Sequence, residues 1–235
     1  MKHAVYTGTR EVYDDMEASA KSLVANSDVG RVHFFIEDAE FPRPLPGIVE
    51  CHDASGQQFF RPDGPNMGSR YTYMALLRAA LCHLLPDCTT VLSMDCDTVC
   101  VRDVSQVWDI EMGGCYFAAV RERWALRRPG LDYCNIGVSL QNLEMMRDGK
   151  ADEVIDVLNR HYFRWPEQDA LNYLCQGRIA AMKPEYCHCP WTVSGSDPIV
   201  IHYAARDDWR KEPDAARYRS MGWDEAMERH SKWEK

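Results

Sequence analysis

Mid-chain, the apolar run Val91-Leu92-Ser93-Met94 reads as a buried strand, and Asp95-Cys96-Asp97 follows it at once. No other feature constrains the chain as much, because open α/β sheets bind ligands just beyond the carboxyl ends of their strands. With only Cys96 between them, on a chain that bends away from the strand, Asp95 and Asp97 can converge on one hard cation instead of pointing to opposite faces. Oxygen ligands of this kind suit magnesium or manganese. Most closely spaced carboxylate pairs are turns or helix caps; the position directly after an apolar strand favours the ligand reading.

The flanking pattern alternates strand and helix. Ala4-Val5-Tyr6-Thr7 predicts the first strand, a turn at Gly8 follows, and helical spacing runs from Tyr13 to Asn26. Arg31 to Ile36 reads as a second strand and Ile48 to Cys51 as a short one, separated by the proline-rich loop at Phe41 to Gly47. Asp53 to Gly68 is a long irregular loop. A helix is expected from Ser69 to Leu85, stopped by Pro86 and carrying Arg78. Cys115 to Val120 and Asn135 to Leu140 read as strands, and Gly137 inside the second points to a close backbone approach. Helices are expected over Ala151 to Asn159 and Glu167 to Cys175; Pro166 opens the latter and puts Glu167, Gln168 and Asp169 in its first turn, where carboxylates suit the helix dipole. Ile199-Val200-Ile201 ends at His202. The expected class is α/β.

The 235 residues suit one domain, and 46% hydrophobic with 27% charged residues describe a globular chain. No apolar run reaches bilayer length. The amino terminus enters a strand without a signal-like segment, so a cytoplasmic location is expected. The ten cysteines are scattered, and free thiols are expected instead of a disulfide framework. Cys187-His188-Cys189, even with Cys82, His83 and Cys88, matches no paired-ligand zinc spacing. Lys+Arg 27 against Asp+Glu 36 gives a net charge of -9, the wrong sign for binding nucleic-acid backbones. From Arg206 to Lys235 the charges balance, so attraction to anionic membranes is weak despite Trp209, Trp223 and Trp233. A solvated, partly helical tail over 206–235 is expected beyond a domain of residues 1–205.

Together these segments resemble the retaining glycosyltransferases of family eight, the group containing glycogenin and the bacterial lipopolysaccharide galactosyltransferases. The likeness spans most of Val5 to Trp209. It rests on Leu84-Leu85-Pro86, Val91 to Val99 and Val107-Trp108 as the central block, on Cys134-Asn135-Ile136-Gly137-Val138, on Glu167 to Asn172, and on His202-Tyr203. The resemblance implies a single GT-A, Rossmann-like domain with a mixed, mostly parallel central sheet, and a metal-dependent transferase that moves a hexose from a UDP-sugar, UDP-glucose or UDP-galactose first, with retention of configuration. It implies Mn2+ or Mg2+ held by Asp95, Asp97 and His202. Thr7, Thr9 and Tyr13 would line the uridine pocket, with Arg78, Cys96 and Arg206 near the donor. Asn135 and Glu167 would contact the donor sugar, and Gln168 would lie by the reacting carbon.

Two departures from the family pattern stand out. Glu167 occupies a position where an aspartate is usual, and its extra methylene bears on which sugar fits. Ala205 and Asp208 fall where a glycine and a diphosphate-gripping lysine are usual; Arg206, Arg210 or Lys211 could restore that charge. Rival readings are a haloacid-dehalogenase-type phosphatase with Asp95 as nucleophile, a sugar-nucleotide pyrophosphorylase cradling phosphate at Gly8-Thr9-Arg10, and a degenerate GT-A fold kept as a binding protein. The acceptor, whether a glycan, a lipid-linked sugar or a protein, is not specified by any motif.

Overall fold

The computed structural model describes residues 1–69, 71–192 and 197–233. Arg70, inside the helix expected from Ser69, and Glu234 and Lys235 of the expected tail lie outside the described residues. Strand β1 (His3–Gly8) leads through a single turn of 3-10 helix into α1 (Tyr13–Asn26), and β2 (Arg31–Ile36) and β3 (Val49–Asp53) follow. Next come α2 (Tyr73–Leu76), α3 (Leu81–Leu84), β4 (Thr90–Met94), β5 (Thr98–Cys100), β6 (Phe117–Arg121) and β7 (Cys134–Asn142). The chain continues through α4 (Leu143–Met146), α5 (Lys150–Arg160), α6 (Pro166–Leu174), β8 (Ile179–Ala181) and β9 (Val200–His202), and then α7 (Pro213–Ser220) and α8 (Trp223–His230).

Seven strands form one sheet in the order β3-β2-β1-β4-β7-β6-β8, while β5 and β9 pair separately. β1, β2, β3 and β4 run parallel; β7 is antiparallel to both β4 and β6, and β8 is parallel to β6. The order leaves β1 toward β2 on one side and toward β4 on the other. This reversal is the crevice where such sheets take ligands, and Gly8 and Asp95 sit at its lip.

Alternation along the strands divides the core in two. Tyr6, Phe34, Leu92 and Leu140 face one layer with Met16, Ala20 and Leu23 of α1. Val5, Phe35, Val91 and Ile136 face the other with Leu77, Leu81, Val154, Leu158 and Leu171. A strand buried on both sides must be apolar throughout, which is how Val91 to Met94 reads. Removing a side chain such as Leu92, 0% exposed, would cost about 2–5 kcal/mol.

Three expectations need correction. The helix expected from Ser69 begins at Tyr73, and between α2 and α3 it tightens to 3-10 geometry over Leu77–Ala80. Arg78 lies in that tightened turn and points inward. The strand expected from Cys115 begins at Phe117, and β8 beyond it was not expected, because Ile179-Ala180-Ala181 is too short and too plain to show alternation. The tail is not a solvated appendage: Trp209, Tyr218, Met221 and Ala226 are buried against Ala18 and Ala25 of α1. Asp15 of α1, itself buried, receives Arg210 Nε at 3.0 Å and also pairs with Arg219. A buried carboxylate needs such partners to offset its desolvation. No helix among the described residues is long and apolar enough to cross a membrane.

Candidate active site

The site begins where β4 stops. Asp95 leaves the strand with its N–H donated to the Gly137 carbonyl of β7 (2.7 Å), and Thr98 Oγ1 donates to the Asp95 carbonyl (2.7 Å), closing a tight turn around Cys96 and Asp97. β5 then pairs with β9, Thr98 opposite His202, and Tyr203 N–H donates to the Asp97 carbonyl (2.9 Å). Residues more than 100 apart in sequence are thereby brought side by side by backbone bonds alone. His202 Nε2 lies 3.3 Å from Asp95 Oδ2 and 3.2 Å from Asp97 Oδ1. One ligand atom from each of the three falls within 4.8 Å of the others.

Gly137 makes this approach possible. A Cβ there would lie 2.1 Å from His202 Cε1 and 2.7 Å from Asp95 Oδ2, inside van der Waals contact. The close approach expected at this glycine is the feature on which the corner is built. Asn135, two residues earlier, fixes the imidazole. Its Oδ1 accepts from Gly137 N–H (3.1 Å), which sets the amide's orientation, and also accepts from His202 Nδ1 (3.1 Å). His202 therefore carries its proton on Nδ1 and turns Nε2 toward the carboxylates. That is the tautomer a metal-binding histidine needs, oriented by its second nitrogen as such ligands usually are. Two carboxylates and one imidazole nitrogen suit a hard to borderline divalent cation, so the residues present fit the implied metal.

Electrostatics point the same way. Burial alone would raise the Asp95 carboxyl, but Arg78 and His202 hold it well below the usual carboxylate range. Burial would lower His202, yet Asp97 and Asp95 push it well above its ordinary value. Asp95 is thus held ionised, and a cation on the three donors would take the place of the proton that His202 Nε2 holds between the carboxylates. Arg78, 4% exposed, holds it from behind: Nε donates to Ser93 Oγ (3.1 Å), Nη2 pairs with Asp95, and Nη1 lies 3.4 Å from Glu167 Oε1.

Gln168 forms the other wall. Its Oε1 accepts from Ile136 N–H (3.2 Å), and its Nε2 donates to Glu122 Oε1 (3.2 Å) and Tyr133 Oη (3.2 Å). Glu122 was not anticipated from the sequence. It is 6% exposed, it also accepts from Asn135 Nδ2 (3.4 Å) and Trp124 Nε1, and burial pushes its carboxyl up against those bonds. The only signal was its place one residue past an apolar strand, masked by the flanking Arg121 and Arg123. Burial likewise raises the Glu167 carboxyl, with Arg78 opposing. Asp169 is a structural latch, accepting from Tyr133 Oη (2.5 Å) and Trp165 N–H (3.0 Å).

The remaining expected residues are more dispersed. Thr7 is the penultimate residue of β1, and its carbonyl accepts from Cys96 Sγ (3.5 Å). Thr9 carries a buried hydroxyl without a partner in the structure. Tyr13 is 4% exposed; its hydroxyl accepts from Glu37 N–H (3.0 Å) and donates to Asp38 (3.0 Å), and its ring packs on Phe41. It borders a cleft shared with Arg10, Asp38 and Arg43 but does not present an open face. Beyond His202, Arg206 is exposed and paired with Glu212, Asp208 precedes a 3-10 turn, and Lys211 is exposed. Arg210 is held charged by Asp15 and, more weakly, by Asp97. Ala205 has φ 60°, the only positive value at a non-glycine among the described residues. All ten cysteines are free thiols. Cys187 lies under His202, its Sγ 3.7 Å from Nδ1, whereas Cys82 and His83 join no cluster with it.

The model of glycosyl transferase family 8 matches residues 18–207. A putative glycosyltransferase of Haemophilus influenzae is 21% identical over 197 residues, 74% of this chain and 59% of that one. A lipopolysaccharide 1,2-glucosyltransferase of Escherichia coli is 27% identical over 131 residues, 50% of this chain and 38% of that one. The chain therefore spans well under two thirds of the length of either relative. Among solved structures, the galactosyltransferase LgtC, in complex with donor and acceptor sugar analogues, superposes with a TM-score of 0.70 at 19% identity, covering 95% of each chain. At that identity the likeness is one of fold.

Proposed function

Because the chain belongs to glycosyl transferase family 8, we propose that it moves a hexose from a UDP-sugar to an acceptor with retention of configuration, aided by manganese or magnesium. The observation that carries this reading is the meeting of Asp95, Asp97 and His202 within 4.8 Å at the carboxyl-terminal crevice of the sheet, beside Asn135 and Gln168. Asp95, Asp97 and His202 would hold the cation, whose charge offsets the one that builds on the departing diphosphate.

The chain's own groups do the positioning. Asn135 keeps Nε2 of His202 directed at the carboxylates, and Arg78 keeps Asp95 ionised. Gln168 is clamped at both ends of its amide by Ile136, Glu122 and Tyr133, so the polar atoms facing the reacting carbon are set before the donor arrives. Preorganised dipoles of this kind stabilise developing charge without reorganising during reaction. Glu167, tied to Arg78, would meet the sugar hydroxyls, and its length relative to aspartate makes it our leading candidate for the determinant of sugar choice. Gln168, Glu167 and Asn135 are the proposed catalytic set, with Thr7, Thr9, Tyr13, Cys96 and Arg206 at the periphery of the donor site. Arg210, within reach of the Asp97 charge, is the better candidate for the missing lysine than Arg206.

The acceptor is proposed to be a glycan, on the precedent of the lipopolysaccharide-acting relative; half-exposed Tyr173, next to Tyr133, offers it an aromatic face. A cytoplasmic location accords with this reading. The decisive measurement is calorimetry and UDP release with manganese and a panel of nucleotide sugars. UDP-hexoses are expected to bind preferentially and to release UDP slowly even without an acceptor, water acting in its place. Folded protein that binds no UDP-sugar in manganese would instead be a degenerate member of the family kept for binding.

A further inference from the structure

At the amino-terminal ends of β1 and β4, on the opposite edge of the sheet from Asp95, a second cluster has metal-binding chemistry that the transferase reading does not use. His3 of β1, His33 of β2 and His52 of β3 share one face, because side chains alternate along each strand and β1-β2 and β2-β3 are parallel and in register. Their rings form a row. His3 Nδ1 lies 2.9 Å from His33 Nε2, and His33 Nδ1 lies 3.0 Å from His52 Nε2. Cys88, in the turn entering β4, brings its thiol to the first of these pairs, so that one ligand atom from each of His3, His33 and Cys88 falls within 4.8 Å of the others. His33 and Cys88 are 5% and 8% exposed.

A row of neutral imidazoles sharing hydrogen bonds accounts for the nitrogen contacts, but not for a buried thiol gathered onto the same pair of nitrogens. A cation accounts for both. We propose that His3, His33 and Cys88 form a second metal site, for a borderline cation of the zinc class. Zinc takes imidazole nitrogen at about 2.0–2.1 Å and thiolate sulfur at about 2.3 Å, so neighbouring donors around it stand roughly 3.3–3.6 Å apart, and the nitrogens here need to open by only a few tenths of an ångström. His33 also has the orienting partner such ligands use: with Nε2 on the metal, its Nδ1–H donates to His52.

A competing set, His33, His52 and Glu50, is equally compact. Glu50 lies 3.9 Å from His33 Nδ1 with its side chain 52% exposed, so it provides a hard and hydrated donor where Cys88 provides a soft and buried one. The metal at the first set would join β1, β2 and the entry to β4, stabilising from below the strand that delivers Asp95 without taking part in transfer.

The test uses the full chain without an affinity tag, stripped with EDTA, saturated with manganese and titrated with Co2+. The expected result is thiolate-to-cobalt charge-transfer absorption, displaced by zinc, together with a higher melting temperature in zinc. Cys88→Ser should abolish the band, and His3→Gln, at a half-buried position that perturbs folding least, should weaken Co2+ binding at least about tenfold. Glu50→Gln and the double variant Cys187→Ser/Cys189→Ser should leave the band in place. No band in the wild type, or a band that survives Cys88→Ser, overturns the proposal. A band lost with Cys187 and Cys189 moves the thiolate site beneath His202, and Co2+ binding lost with Glu50→Gln moves it to the Glu50 set. If Cys88→Ser fails to fold, unchanged Co2+ affinity in His3→Gln is sufficient to reject the site.

Discussion

The corner around Asp95 and the rim that follows His202 meet at that histidine and are built in opposite ways. At the corner every group is fixed by buried contacts: Asn135 grips His202, Arg78 grips Asp95, and Gly137 leaves room for nothing larger than hydrogen. At the rim, Ala205 to Asp208 and the side chains of Arg210 and Lys211 are exposed; Arg206 pairs with half-buried Glu212, and only Arg210 reaches back to buried Asp15. Exposed ion pairs contribute little and rearrange readily, whereas a buried charge that loses its partner is costly. The two positions expected to depart from the family pattern after His202, Ala205 and Asp208, both fall on the rim.

The largest expected effect follows from breaking the corner directly. Asp97→Asn should lower transferase turnover by at least about a hundredfold, the scale for losing one electrostatic stabiliser of a transition state, while the melting temperature stays near wild type because Asp97 is a third exposed. Asp95→Asn should lose activity and stability together, since it leaves the buried Arg78 charge with Glu167, at 3.4 Å, as its carboxylate partner. Activity indifferent to EDTA, or equal melting temperatures for the two variants, would refute this division of roles.

Gly137→Ala tests whether the corner is as inflexible as its contacts imply. The added methyl meets His202 and Asp95, and overpacking of this kind costs about 1–3 kcal/mol. Chemical denaturation should show that loss, and manganese calorimetry a loss of affinity. Wild-type affinity in the variant would mean that the imidazole can relocate and still bind.

Titration separates the corner from the rim by charge. His202 is raised in the folded state above its unfolded value near 6.5, so the folded protein binds more protons than the unfolded chain above that pH. Its contribution to metal-free stability is therefore complete below about pH 6.5 and declines as pH rises toward the folded value, by up to about 1.4 kcal/mol per pH unit. Saturating manganese should remove this slope above about pH 6.5, because its binding requires the neutral imidazole and the unfolded chain is already deprotonated there. Denaturation between about pH 6.5 and 8 should lose this slope in His202→Gln; a slope that persists there would assign the titration to another group.

The same contrast explains what could be read in advance. Tyr13 to Asn26 and Val91 to Asp97 are patterned by their own neighbours, so helix, strand and carboxylate pair were legible residue by residue. Glu122 was hidden because its partners arrive only with the tertiary fold, Asn135 on β7, inserted between β4 and β6, and Gln168 on α6. The broken helix at Leu77–Ala80 follows from burying Arg78 against Ser93 and Asp95, a tertiary demand that local propensity does not register. The tail read as solvated because its charges balance in sequence; Asp15, which organises Arg210 and Arg219, lies nearly 200 residues upstream.

The smallest expected effect concerns the rim and tests whether its backbone shape outlasts the change of residue. Ala205 keeps the left-handed conformation that a glycine would adopt freely, at φ 60°, and a side chain with Cβ pays about 1–2 kcal/mol for that region. Glycine relieves this strain but gives the unfolded chain more freedom, which returns part of the gain. Ala205→Gly should therefore raise stability by about 0.5–1 kcal/mol and leave manganese affinity unchanged, since Ala205 is exposed and touches none of the three donors. A melting temperature below wild type would show that the bend is not strained. A change in manganese affinity would show that the rim and the corner are coupled through the backbone between His202 and Ala205, and the separation of the two regions would fail.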